Sequence, residues 1–282
     1  MFGPLICMLA VALCLTQWTA ALPAGQLAEW MRRQAPNQLY VSDPASQTGS
    51  FNMTAWVLPI PIATAQSLIG TTSYGLISNH GLDSSVIPSG YHPLLVVPGY
   101  FFDIRQKELG LLPLQVEQLS VVEVFLPFVD VLGTGKAFRR SVVTYMDQII
   151  PALVGGAKEF HNAQLAYFDP EHAAYRSAGG SSLSFRAAQG IVNTVDGPGL
   201  VSPLFQSLHS RTASSAISES QFQAMLNMPY YTTPGFGCNK AKLYFNYPDA
   251  DPSFVTGDAQ VYSPILPSTS DYPSAVGYSA AT

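Results

Sequence analysis

The sequence predicts a mainly β (α+β) chain with a few short helices in one domain. Three observations carry this. From Phe51 onward, short β-branched and aromatic runs are fenced by Gly and Pro, which number 22 each. Hydrophobic residues make up 48% of the 282, whereas charged residues make up 11%, against about 25% in an average soluble protein. Helical patterning is confined to a few short stretches, with no heptad or Gly-X-Y period and no internal repeat.

Residues 55–60, 93–97, 121–125, 140–145, 182–186 and 242–247 read as strands. Residues 26–33 form an amphipathic helix closed by Pro36, and 63–68 form a second. Residues 219–227 form a third, with Ser218 as N-cap, Gln221 three residues on and Pro229 as its end. The stretch 116–119 fits helix or strand. Gly133-Thr134-Gly135-Lys136 reads as a tight hairpin turn, since it lacks the first glycine and the Ser/Thr of a phosphate loop. After Pro264 the composition turns to Ser, Thr, Pro, Gly and Tyr, which predicts a frayed, flexible tail over 264–282.

Residues 5–15 are an almost unbroken apolar run, too short to span a bilayer, followed by the small-residue pattern Thr19-Ala20-Ala21. This predicts a signal peptide over 1–21, a single domain over 22–263, no stable membrane anchor, and a secreted or secretory-lumen chain. Cys7 and Cys14 leave with the leader, so Cys238 is the only mature cysteine and reads as a packing thiol. Asn52-Met53-Thr54 is a sequon that makes Asn52 the expected glycan acceptor.

Composition excludes several classes. Thirteen basic residues and a net charge of −5 do not build a phosphate-binding surface, so no nucleic-acid partner is expected. The five histidines (His80, His92, His161, His172, His209) are scattered, and HExxH and paired CxxC are absent, so no metal is expected. No GxGxxG, Walker or GxSxG pattern occurs, so no nucleotide cofactor and no serine nucleophile are expected. Asp103 and Arg105 read as a surface ion pair. Glu123, in an apolar run, faces water or pairs with Arg139 or Arg140.

What remains is the strand end Tyr145-Met146-Asp147-Gln148 and the segment behind it. In a chain so poor in charge, Asp147, Lys158, Glu159 and His161 fall within 15 residues, a spacing that a solvated loop explains equally well. This segment resembles the acetoacetate decarboxylase family, which carries a tyrosine–aliphatic–aspartate strand end, an Ala/Gly run, and a lysine pair before a leucine–glycine–tyrosine. Residues 55–68 resemble that family's first strand and helix, and 240–252 its closing strand. The resemblance implies an antiparallel, cone-shaped β-barrel around a largely apolar pocket.

Matching Leu165-Ala166-Tyr167 places the family's two lysines at Ala163 and Gln164, neither of which forms a Schiff base. Lys158, five residues earlier, is the nearest of five lysines. A pocket without the amine still accelerates reactions by positioning and by hydrogen-bond donors, here Gln164, His161, Tyr145 and Tyr167. In its leader, its length and its lack of a cofactor motif, the chain is similar to the secreted fungal hetero-Diels–Alderases. The expectation is therefore a cofactor-independent cyclase of fungal secondary metabolism acting on an apolar small molecule. A Schiff-base decarboxylase or aldolase-like lyase using Lys158 stays open, as do a non-catalytic carrier and homo-oligomerisation.

Overall fold

The computed structural model describes residues 37–109, 112–148, 162–189, 202–231 and 238–282. In chain order these form α1 (Leu39–Ser42), β1 (Thr48–Pro61), α2 (Ile62–Ile69), β2 (Gly75–Leu76), β3 (Tyr91–Leu109), β4 (Leu112–Asp130) and β5 (Ala137–Met146). Then follow β6 (Ala163–Leu165), β7 (Tyr167–Asp169), β8 (Arg176–Gly179), β9 (Ser182–Gln189), β10 (Ser202–Thr212), α3 (Glu219–Leu226), β11 (Tyr230–Tyr231), β12 (Cys238–Asn239), β13 (Ser253–Val261) and β14 (Ser270–Ala281).

The strands run β5-β4-β3-β1-β14-β13-β10-β9-β7, antiparallel at every step. β6 returns to β5 as a parallel partner, from Thr144↔Ala163 to Met146↔Leu165. Ala166 alone separates β6 from β7, and its N–H donates to the Met146 carbonyl at 2.8 Å. Residues 163–169 thus bridge the two ends of the strand order and nearly close the sheet into a barrel, which leaves little open edge for stray pairing. β11 joins β5 further back, parallel at Arg139 and Arg140. The expected barrel is therefore present as a mixed sheet, the two parallel pairings among the described residues both at the free edge of β5.

Both faces of the central strands are covered, so they read as near-continuous apolar runs. Trp56, Leu58 and Ile60 of β1 share the inner cluster with Leu94, Val96, Val122, Val124, Tyr145, Phe168, Phe185 and Phe205. Phe51, Met53, Ala55 and Val57, the alternate residues, join Leu95, Val97 and Phe125 in an outer cluster under Phe222, Met225 and Leu226 of α3. Ser218 caps α3 through a reciprocal capping box with Gln221. α2 starts after Pro61 and ends at Gly70 in the left-handed region (φ 78°). Its buried Ala65 and Ile69 belong to the inner cluster and plug the end of the barrel where β1 finishes.

The strands expected at 55–60, 93–97, 121–125, 140–145 and 182–186 lie inside β1, β3, β4, β5 and β9. The ambiguous stretch 116–119 is part of β4, and 133–136 turns the β4–β5 hairpin, where Asp130 accepts from the N–H groups of Leu132, Thr134 and Gly135. Two expectations are corrected. Residues 242–247 form no strand: Asn227 donates to the Leu243 carbonyl and accepts from the Leu243 N–H, so a side chain occupies the backbone groups a neighbouring strand would use. Residues 270–281, read as a flexible tail, form β14 between β1 and β13, because Tyr278 and Ala280 bury on the outer face while Gly277 fits against Trp56. The expected helix 26–33 and the leader 1–21 lie outside the described residues. No helix among the described residues is long and apolar enough to cross a membrane.

Candidate functional site

Among the described residues the inner face is largely apolar, and one group of polar side chains gathers under the turn between β7 and β8. The Ser120 hydroxyl of β4 donates to the Glu171 carbonyl in that turn. His172 Nδ1 lies 3.9 Å from Asp147 Oδ2 at the end of β5, and the Tyr175 ring meets the His209 ring of β10 edge-on at 6.2 Å. Arg176, where β8 starts, pairs with the buried Asp169 at 2.9 Å. Residues 171–175 therefore tie β4 and β5 to β10.

Beneath the turn, the Trp56 indole and the His209 imidazole meet edge-on, with centroids 5.2 Å apart and planes at 79°. Two glycines make this possible. A Cβ on Gly277 would stand 3.1 Å from Trp56 Cε3, and one on Gly257 would stand 2.5 Å from His209 Cα. Among the described residues, Trp56 Nε1 and His209 Nε2 are buried with no hydrogen-bond partner. Such groups lose solvation without compensation, so each is a donor or acceptor kept idle at a cost of about 1–3 kcal/mol.

Burial lowers the His209 imidazole to about 4, so the ring is neutral at physiological pH. Ser207 Oγ lies 3.5 Å from Nδ1. A serine proton given to Nδ1 leaves the ring hydrogen on Nε2, and His209 then faces the interior as a neutral donor like Trp56. Burial raises the Tyr145 phenol to about 12, which keeps it a protonated donor. Asp147 is raised to about 7, chiefly by burial, against the hydrogen bond its carboxylate accepts from Ser120 N–H at 3.1 Å. His172 is lowered by burial, so the Asp147–His172 contact joins two groups that both incline to their neutral forms at pH 7.

Of the residues singled out in the sequence, Tyr145 and Gln164 are register partners on one face of the β5–β6 pair. The Gln164 amide is engaged, accepting from Gln189 at 3.2 Å and donating to Asn162 at 3.3 Å. Tyr167 alternates with Phe168, which is in the inner cluster, and so lies on the opposite face of β7. Lys158 and His161 lie outside the described residues. The other four lysines, Lys107, Lys136, Lys240 and Lys242, are all exposed. Asn52 is partly buried, paired on both sides within β1 and on the strand face that carries Trp56.

Glu123 acts electrostatically on Arg139, as one of its sequence readings had it. Arg139 is buried on the outer face, 4.3 Å over the Phe125 ring, and is lowered to about 10 by burial. Arg105 pairs with Asp103 near the surface and lies over Tyr40. Sequence reasoning missed Trp56, His209 and His172 as site residues. The available signal was β10, where Phe205, Ser207 and His209 recur at every second position. Its serines and the exposed Leu208 reverse the usual polarity of a strand.

No known protein family matches the chain, and no curated protein matches it. Among solved structures it is similar to the enduracididine biosynthesis enzyme MppR complexed with pyruvate, at 11% identity and TM-score 0.49, over 83% of this chain and 86% of that one. It is also similar to an acetoacetate decarboxylase-like enzyme from Sphingomonas wittichii RW1, at 10% identity and TM-score 0.46, over 85% and 90%. An acetoacetate decarboxylase from Legionella pneumophila matches at 11% identity and TM-score 0.40, over 83% and 84%. Likenesses this distant assign no substrate and no residue role.

Proposed function

We propose that the chain is a small-molecule enzyme that works in the barrel interior without a covalent intermediate, as a cyclase of the hetero-Diels–Alder type in fungal secondary metabolism. The observation that carries this reading is the pair of idle nitrogens, Trp56 Nε1 and His209 Nε2, set in an apolar interior. A carbonyl or quinone-methide oxygen placed against them is polarised as charge builds on it, and donors held in place need no reorganisation. Phe168, Phe185 and Phe205 supply walls against which an apolar partner is held, and such positioning removes up to about 7–11 kcal/mol of barrier in favourable systems. Tyr145 is a third donor, Gln164 positions the strand beside it, and the exposure of the four described lysines favours a non-covalent route. The leader read in residues 1–21 carries secretion with it.

The test is turnover of polyene and quinone-methide pairs against an uncatalysed control. The reading expects stereochemically biased product above background and no borohydride-trapped adduct with a keto substrate. Background rate with retained binding makes the chain a carrier, and a reduced adduct on Lys158 makes it a Schiff-base lyase. Either result overturns the proposal.

A further inference from the structure

Arg140 reaches the inner face of β5, in register with the core residue Leu126. Its guanidinium lies over the ring of Tyr231, its parallel partner on β11, at 5.4 Å from the centroid. Its Nη2 stands 3.9 Å from where a Cβ on Gly70 would lie, at the C-terminal end of α2, where the helix dipole favours a cation. Among the described residues, Nε and Nη1 are buried with no hydrogen-bond partner, and so is the Tyr231 hydroxyl.

Among the described residues, no carboxylate pairs with Arg140, and the groups acting on its charge are the phenols of Tyr231 and Tyr74. The contrast with Arg139, one residue earlier, is sharp. Arg139 has the Glu123 charge and donates from Nε to the Met228 carbonyl at 3.3 Å. A desolvated guanidinium with idle donors and no counter-ion is costly, and replacing such a cation by an apolar residue is often neutral or stabilising.

We infer that Arg140 and Tyr231 form a binding station for an anionic oxygen group, a carboxylate or an acidic enol or phenol, carried by a small organic guest of the barrel. The anion accepts from the idle guanidinium N–H groups and from the Tyr231 O–H, bonds about twice as strong as neutral ones. This goes beyond the cyclisation reading, because it assigns a charge to the guest and is read by binding, whether or not the barrel turns anything over.

The test uses the full chain, with benzoate as probe and benzamide and sodium chloride at equal ionic strength as controls, read by calorimetry and thermal unfolding. Benzoate binds and raises the melting temperature, whereas benzamide and chloride do not. Arg140→Met abolishes the benzoate response and melts at or above the wild type without ligand, and Tyr231→Phe weakens benzoate several-fold. Equal responses to benzoate and benzamide overturn the proposal, as does equal stabilisation by chloride. So does Arg140→Met melting well below the wild type, which makes the guanidinium structural. Arg140→Lys, which keeps the charge and loses the planar fork, is the second variant: it loses about tenfold or more in benzoate affinity, and unchanged affinity overturns the assignment.

Discussion

Gly257 lies so close against His209 that a Cβ there would stand 2.5 Å from His209 Cα and 2.2 Å from the Leu208 carbonyl oxygen. Both atoms are backbone, which does not swing aside. Gly257→Ala therefore forces β13 away from β10 and displaces the imidazole from Trp56. We expect a loss of about 1–3 kcal/mol, seen as a lower urea midpoint, together with weakened catalysis. An unchanged midpoint would show that the two strands are not in close contact.

Trp56→Phe keeps an aromatic ring in the interior and removes only the indole N–H and part of the volume. On the proposed chemistry, kcat falls by roughly 10²-fold, the usual loss for one preorganised donor, while KM changes little. His209→Phe removes the second donor and falls by a similar factor. Equal kcat in the wild type and both variants would retire these two groups as catalytic residues.

Acid sensitivity is set by opposing groups. His92 and His209 are each lowered to about 4, so between pH 6.5 and 4 the unfolded chain binds protons that the folded one refuses, and stability falls as pH falls. The cost is on the order of 3 kcal/mol for each by pH 4. Asp147, raised to about 7, acts in reverse: the folded chain holds a proton that the unfolded one releases above about 4, so this group favours the folded state more as pH falls toward 4. Asp147→Asn removes that offset. We expect the variant to be more stable than the wild type above pH 7 and to lose stability more steeply below 6.5, as denaturant titrations across pH would show.

Glu123→Gln leaves Arg139 buried with its charge uncompensated. A loss of about 3–5 kcal/mol is expected, whereas a paired change that also makes Arg139 Met recovers most of it. A double-mutant cycle by chemical denaturation gives the coupling directly.

Ser218→Ala removes the hydroxyl that accepts from the Gln221 N–H and leaves the Gln221 side chain on the residue-218 N–H, and about 1 kcal/mol of stability goes with the lost half of the capping box on α3. The helix covers the outer sheet face, so the loss appears in global unfolding and leaves the inner site untouched.

Patterns within one segment were legible in the chain alone. Alternation and β-branching gave β1, β3, β4, β5 and β9, the Ser218–Gln221 spacing gave the cap of α3, and Gly133 to Lys136 gave the β4–β5 turn. These are local because a strand face or a helix start depends on residues a few positions apart. The order of strands, the closure by residues 163–169 and the central place of β14 came from tertiary structure, because each depends on partners far away in sequence. The site belongs to that second kind. Trp56 and His209 are 153 positions apart by their numbers, and only the packing of β1, β14, β13 and β10, with glycine at 257 and 277, brings their rings within 5.2 Å. A nitrogen becomes an idle donor when the fold takes away its water and offers no acceptor, and no run of neighbouring letters records that.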